Sequence, residues 1–239
     1  MACLVKDSLR NRITLVATDE YTRFMWIRAR VKISPSKEIY IVVCYFPPAS
    51  SSFAIHNGDN GDPFIDLYVD ISQYSTNDIV LLMGDFNART KDLQIPLHDR
   101  SEDVSCTQGI DPVSVGLHRI SEDALGCTIA YGKHLLQLGE SHELLILSSL
   151  PCFPDSRFFT FRPHGGGASV VDYTLASHNL LPFIRNLSIS PIPLVDHALL
   201  SLSLQFDPPP PTHPSPQSPL QTTFRFDEGD PDIFSSNLR

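Results

Sequence analysis

The chain has 239 residues, 42% of them hydrophobic, enough for one large domain or a domain plus a tail. Lys and Arg number 18 against 27 Asp and Glu, giving a formal net charge of -9. A general basic surface for nucleic acid is thereby excluded, so any DNA-directed activity must come from a local site, where a divalent metal held by acidic residues would offset part of the repulsion. No apolar run approaches a membrane span, the N-terminus carries no signal-peptide pattern, and the five scattered cysteines lack the C-x-x-C spacing of zinc sites. A reduced intracellular compartment, nucleus or cytoplasm, is the expectation.

From the N-terminus, Ala2 to Val5 and Arg12 to Val16 read as short strands around a polar turn. In Phe24 to Val31, Met25, Ile27, Ala29 and Val31 alternate with Trp26, Arg28 and Arg30, the period of a half-buried strand. After a turn over Ser34 to Lys37, Ile39 to Cys44 forms another strand, which runs into Tyr45-Phe-Pro-Pro48. The prolines end the ladder and leave Tyr45 at a strand end, where an aromatic packed under a Pro-rich loop is the simpler reading.

Residues 49–62 read as a loop, and Asp62-Pro63 as a helix N-cap followed by Pro at the first helical position. Phe64, Leu67, Tyr68, Ile71 and Tyr74 then form an amphipathic stripe expected in the core. Ile79 to Met83 is an apolar run too short for a helix and without polar alternation, hence a strand buried on both faces. Gly84 permits a tight turn, and Asp85 and Asn87 emerge at the carboxyl end of the strand, as ordinary turn residues or as a ligand site.

From Asn87 to about residue 128 the chain is polar and acidic, including the run Asp99 to Asp103, and reads as a surface excursion with solvated carboxylates. Tyr131, Leu135 and Leu138 share one helical face, and Leu144 to Leu147 is a second buried strand. Phe158 to Phe161 reads as a short strand before the loop Pro163-His-Gly-Gly-Gly-Ala168. Ser169 to Ser177 is β-rich with Asp172 in its middle, and a carboxylate inside an apolar strand is costly unless paired or hydrogen-bonded. Ala198 to Leu204 is the last strand, immediately preceded by Asp196 and His197. After Phe206 the composition turns proline-dense, so the domain spans 1–206, followed by a linker at 207–221 and an acidic, disordered tail at 222–239.

Tyr45, Asp85 with Asn87, Asp172, and Asp196 with His197 thus stand at four strand ends. Each has an ordinary explanation singly. Together they supply what metal-assisted phosphodiester hydrolysis needs: hard oxygens for Mg²⁺ or Mn²⁺, an Asp to orient water, and donors for the phosphoryl oxygens. An Asp paired with a His fixes the tautomer of the ring and raises its basicity.

In order, Tyr45-x-Pro-Pro, Gly84-Asp-Phe-Asn87, Val171-Asp-Tyr-x-Leu175 and Asp196-His197 resemble the endonuclease/exonuclease/phosphatase family. Gly84 to Arg89, Leu144 to Leu147, and Phe159-Thr-Phe followed by Ser169 to Tyr173 look more narrowly like the endonuclease domain of LINE-type (non-LTR) retrotransposons. The resemblance spans roughly residues 2–206 and implies a two-sheet, four-layer α/β sandwich of the abasic-endonuclease type, lacking its first strands. It implies that Asp85 orients the water, that Asn87 and Tyr45 contact the scissile phosphate, and that Asp172 pairs with His197, which faces that phosphate. Asp196, with Asp85, would hold the metal, Mg²⁺ or Mn²⁺, and DNA would be the substrate.

The departures are as specific. The strand bearing the family's Asn and the strand bearing its metal-binding Glu have no counterpart here, Glu20 and Glu38 are poor substitutes, and Val195 and Ser148 replace a usual Ser and Asn. Reduced or absent activity is the expectation for the chain as given. Two other outcomes are open: a phosphoesterase acting on a small phosphate or phospholipid, and a non-catalytic remnant of a larger polyprotein.

Overall fold

The computed structural model describes residues 1–34, 37–49, 51, 62–74, 78–95, 117–123, 126 and 128–206. The turn at 35–36, most of the loop at 49–62, the acidic run at 99–103, the linker at 207–221 and the tail at 222–239 lie outside the described residues. Met1–Phe206 makes one compact unit.

Its centre is a six-stranded mixed sheet built from β1 (Ile13–Thr18), β2 (Phe24–Ser34), β3 (Lys37–Tyr45), β4 (Ile79–Asp85), β5 (Leu144–Ile146) and β6 (Asp172–Ser177). The order across it is β1-β2-β3-β4-β6-β5. Only β3 and β4 run parallel, joined by the helix α1 (Pro63–Tyr74), and every other neighbouring pair is antiparallel. A second helix, α2 (Ala130–Ser141), leads into β5, and a second sheet consists of β7 (Ile184–Ser190) paired with β8 (Leu199–Leu204).

The two faces of the central sheet build two cores. Val42, Val80, Leu82, Ile146 and Leu175 meet Phe64, Leu67 and Ile71 of α1 and Leu135 and Leu138 of α2. Ile39, Ile79, Leu81, Leu145 and Ala176 face the opposite way, toward Leu180, Ile184 and Leu187, with Leu202 and Leu204 of β8 packed alongside. The expected two-sided burial of β4 is observed, and each fully buried Leu or Ile side chain contributes about 1.5–3 kcal/mol of transfer free energy. The result is the two-sheet α/β sandwich; among the described residues the second sheet has two strands and the long helices lie on one face of the first.

The local expectations fare unevenly. Residues 2–5 form no strand and are exposed, and a 3₁₀ turn at Asp7–Leu9 precedes β1. β2 is more deeply buried than a half-buried strand, because Trp26 is covered by α1, its indole N–H donating to Asp70 at 3.0 Å beside the Tyr40 and Tyr74 rings. Tyr68 leaves the expected core stripe: it is 44% exposed and its ring lies against His142. Phe158 to Phe161 is not a strand, since only Phe161 makes isolated bridges, to Ser169 and His197. Asp172 opens β6 and does not sit mid-strand. Asp62 caps α1 as expected, accepting from the Phe64 N–H at 3.0 Å.

Candidate active site

The site lies where β3 and β4 end and the antiparallel β6 begins. Tyr45 is the register partner of Asp85, and Asp85 of Asp172, so three adjacent strands deliver the three side chains in one row. Side chains alternate along a strand, and Asp85 follows Leu81 and Met83 on the face turned toward the second sheet. Phe86, the next residue, points to the helical face and packs its ring on Phe46 and Phe64. The Asp-Phe pair therefore holds one side chain in the site and its neighbour in the core.

Gly84 has a role other than the expected turn. It lies within β4 at φ +139, and a Cβ there would come 2.0 Å from the Cys44 carbonyl oxygen. Only glycine lets β3 and β4 approach closely enough to set Tyr45 beside Asp85. The turn proper comes at Asn87, a non-glycine residue at φ +44. The Asn87 backbone N–H donates to Asp85 Oδ1 at 2.8 Å, and its side-chain amide donates to the Phe46 carbonyl at 2.6 Å and to Asp85 Oδ2 at 3.2 Å. Asn87 thus orients the carboxylate beside it.

His197 arrives from the other sheet. The segment before β8 is laced to the Phe161 stretch by main-chain bonds, Arg162 N–H to the Asp196 carbonyl at 2.7 Å and Ala198 N–H to the Thr160 carbonyl at 2.8 Å. Its imidazole lies against the Phe161 ring at 4.8 Å. Nδ1 is 3.1 Å from Asp172 Oδ2 and 3.2 Å from Oδ1, while Nε2 stands 3.9 Å from Asp85 Oδ2. Because a carboxylate can only accept, Nδ1 carries the proton and Nε2 is directed at Asp85.

Both carboxyls are buried, and their protonation reflects it. Burial pushes Asp85 up to about 6, with the Asp172 charge acting in the same direction and the Asn87 N–H and His197 against it. Burial also raises Asp172, while Thr160 and His197 pull it down and the charge of Asp196 adds to the rise. Asp196 itself is exposed and stands outside the close group. Tyr45 is 53% exposed, so it is no aromatic buried under a Pro-rich loop.

Asp85, Asp172 and His197 each offer a ligand atom within 4.8 Å of the others. Two carboxylates, both raised chiefly by burial, together with one imidazole, fit a divalent cation, with the carboxylate oxygens suiting Mg²⁺ or Mn²⁺. No glutamate joins this group among the described residues. Glu38 pairs with Arg28 and Arg30 at the far end of β3, and Glu20 is exposed in the turn before β2.

Several supporting residues escaped the sequence reading. Thr160 Oγ1 accepts from the N–H groups of both Val171 and Asp172 at 3.0 Å and so fixes the start of β6. Tyr173, on the opposite face from Asp172, bonds Thr90 and the Val170 carbonyl through its hydroxyl. The buried Arg119 lies over that Tyr173 ring and donates to Thr90, the Leu93 carbonyl and the Ser148 carbonyl. Asp123, expected among solvated carboxylates, is buried instead and binds Arg89 through two bonds of 2.6 and 3.0 Å. Ser148 keeps a structural role, accepting from the Thr174 N–H at 3.1 Å.

This architecture is the endonuclease/exonuclease/phosphatase fold, as solved structures show. The endonuclease domain of TRAS1, a telomere-specific non-LTR retrotransposon, matches with a TM-score of 0.50 at 14% identity, over 81% of this chain and 69% of that one. The 3′ phosphatase NExo from Neisseria, bound to a product DNA hairpin, matches at 0.47 and 15% identity over 81% and 70% of the two chains. The AP endonuclease LMAP from Leishmania major matches at 0.46 and 12% identity over 77% and 55%. No protein-family model and no curated protein matches the sequence. No helix among the described residues is long and apolar enough to cross a membrane.

Proposed function

We propose that the chain is a metal-dependent phosphodiester hydrolase that nicks DNA in the manner of a retrotransposon endonuclease domain. The observation that carries this reading is the His197 ring held between two buried carboxylates, with Nδ1 3.1 Å from Asp172 and Nε2 3.9 Å from Asp85. The fold shared with the TRAS1 endonuclease domain supports the substrate class.

In this mechanism Asp85 accepts the proton of the attacking water at Oδ2, a task suited to a carboxyl raised to about 6. Asp172 keeps His197 in the tautomer whose Nε2 faces the phosphate, and protonation there stabilises charge on a phosphoryl oxygen. Tyr45, exposed beside Asp85, donates its hydroxyl to the phosphate. Asn87 would contact the phosphate by turning to it the amide N–H now on Asp85 Oδ2 at 3.2 Å, while its backbone N–H keeps Asp85 Oδ1 oriented. Asp85 would hold a divalent cation, with Asp172 of the same close group as second carboxylate and the exposed Asp196 outside it, and the cation would supply charge neutralisation of the phosphate and leaving oxygen. With no glutamate in the group among the described residues, the chain turns over slowly.

A supercoiled-plasmid assay at high protein concentration with Mg²⁺ or Mn²⁺ tests this proposal. Slow nicking that disappears in Asp85→Ala, in His197→Ala and on chelation is expected. Nicking that survives Asp85→Ala would falsify it. The net charge of -9 favours a second reading, a small phosphate ester as substrate, and competition of plasmid against inositol phosphates separates the two.

A further inference from the structure

Asp85 and Asp172 form the last pair of the β4–β6 ladder, and one further main-chain bond follows it, Phe86 N–H to the Val171 carbonyl at 3.1 Å. One step beyond, the two chains part. Asn87 turns away at φ +44, and Val170 comes in from the loop at Pro163–Ala168. Ladder ends fray, so a row of carboxyls at such an end keeps its spacing only when something outside the ladder ties the two chains together.

Asp123 supplies the tie. Its Oδ2 accepts from Arg89 Nε at 3.0 Å and from the Val170 N–H at 3.2 Å, and its Oδ1 accepts from Arg89 Nη2 at 2.6 Å. Arg89 stands two residues past Asn87, and Val170 two residues before Asp172. A single carboxylate therefore spans the gap between the strand that delivers Asp85 and the strand that delivers Asp172.

The parts it joins are themselves fixed. Asp123 is buried, with its N–H on Ser121 Oγ at 3.2 Å and its carbonyl accepting from the Gly126 N–H at 2.9 Å. Helix α2 presses on the Arg89 main chain, since a Cβ at Gly132 would come 2.0 Å from the Arg89 carbonyl oxygen. Thr90 then gives its N–H to the hydroxyl of Tyr173, the neighbour of Asp172, at 3.1 Å. Thr160 holds the start of β6 from the His197 side, through the Val171 and Asp172 N–H groups, and Asp123 holds it from the Asp85 side.

Stability alone does not account for the pair. Taking the Asp123 carboxylate out of water offsets most of its attraction to Arg89, and what such a pair retains is a fixed geometry. We infer that Asp123 is a positioning residue: acting through Arg89 and Val170, it sets the spacing of Asp85 and Asp172 and so aims the His197 ring. The inference rests on the hydrolase reading and adds to it a residue outside the close group of Asp85, Asp172 and His197.

The test follows the full chain by ¹⁵N NMR of labelled histidines in mildly alkaline buffer, the His197 signals being those lost in His197→Asn, alongside the plasmid nicking rate. The unaltered chain is expected to show His197 with its proton on Nδ1. Asp123→Asn keeps the size of the side chain and removes the charge facing Arg89. In that variant the ring is expected to populate both tautomers, and nicking to fall about tenfold or more, the scale on which a misplaced catalytic group is felt. Ile71→Ala opens a cavity in the core under α1, lowers stability without touching the tie, and should leave the His197 signals as they are. A single unchanged tautomer in Asp123→Asn, or the same mixture in Ile71→Ala, would overturn the positioning role while leaving the hydrolase reading intact. Absence of nicking in the unaltered chain, or nicking that survives Asp85→Ala, would overturn the hydrolase reading, and the His197 signals then decide the role of Asp123 alone. Should Asp123→Asn not fold, Arg89→Gln breaks the same pair from the other side and is expected to give the same mixture; an unchanged tautomer there counts equally against the role.

Discussion

Asp85 and Asp172 are register partners across β4 and β6, so two buried carboxyls face each other on adjacent strands with the His197 ring serving both. Such a row costs stability. In the folded chain Asp85 is pushed up to about 6, above its unfolded value of about 3.9. The folded state therefore holds a proton that the unfolded state releases, and stability falls as pH rises from about 4 to about 6. Above that window the ionised, buried Asp85 remains a destabilising charge. Asp85→Asn is expected to raise stability at pH 7 by about 1–2 kcal/mol and to change it little at pH 4, with nicking abolished. Urea denaturation at the two pH values measures this; equal stabilisation at both would contradict the assignment.

A divalent cation relieves the same repulsion. Mn²⁺ or Mg²⁺ at ten times its dissociation constant should stabilise the chain by about 1.4 kcal/mol, seen as a raised melting temperature. The rise should vanish in Asp85→Ala. A rise of equal size in that variant would place the cation elsewhere.

Gly84→Ala introduces a Cβ 2.0 Å from the Cys44 carbonyl at a backbone angle that L-residues rarely adopt. The expected cost is about 3 kcal/mol or more, together with loss of nicking, because β3 and β4 must separate. Chemical denaturation checks the first and the plasmid assay the second. A Gly84→Ala chain of unchanged stability would remove the close-approach argument.

Thr160→Val keeps the shape of the side chain and removes the acceptor for the Val171 and Asp172 N–H groups. Two buried donors left unpaired should cost about 2–4 kcal/mol. Nicking should fall more than stability alone explains, since the Asp172 end of the His197 pair loses its anchor. Thr160→Ser should recover most of both.

Sequence position made Tyr45, Asp85, Asp172 and His197 visible because each polar group interrupts or closes an apolar run, and the structure brings the last three within hydrogen-bonding or near-contact range. The helices at Pro63–Tyr74 and Ala130–Ser141 were legible from their spacing. β7 was not read, because a bulge between Ile184 and Asn186 breaks the period-two pattern that marks a half-buried strand. Arg119 and Asp123 were equally hidden. Their burial depends on partners such as Ser148, 29 positions from Arg119, and Arg89, 34 from Asp123, and no local periodicity encodes that distance. Residues 2–5 show the converse, an apolar stretch with no partner strand to pair it among the described residues.

The main-chain lacing between Thr160–Arg162 and Asp196–Ala198 divides the duties of the segment from Phe161 to Ser169. One end clasps the backbone of His197 and the other is joined to Phe161 by a two-way bond with Ser169, so the pair that matters is secured at the stem of the intervening loop. Within that loop, a side chain added at Gly165, Gly166 or Gly167 would meet open space. The loop tip is therefore mechanically insulated from the catalytic row. Insertions between Pro163 and Ala168 could diversify what the loop touches while the spacing of Asp172 and His197 stays constant.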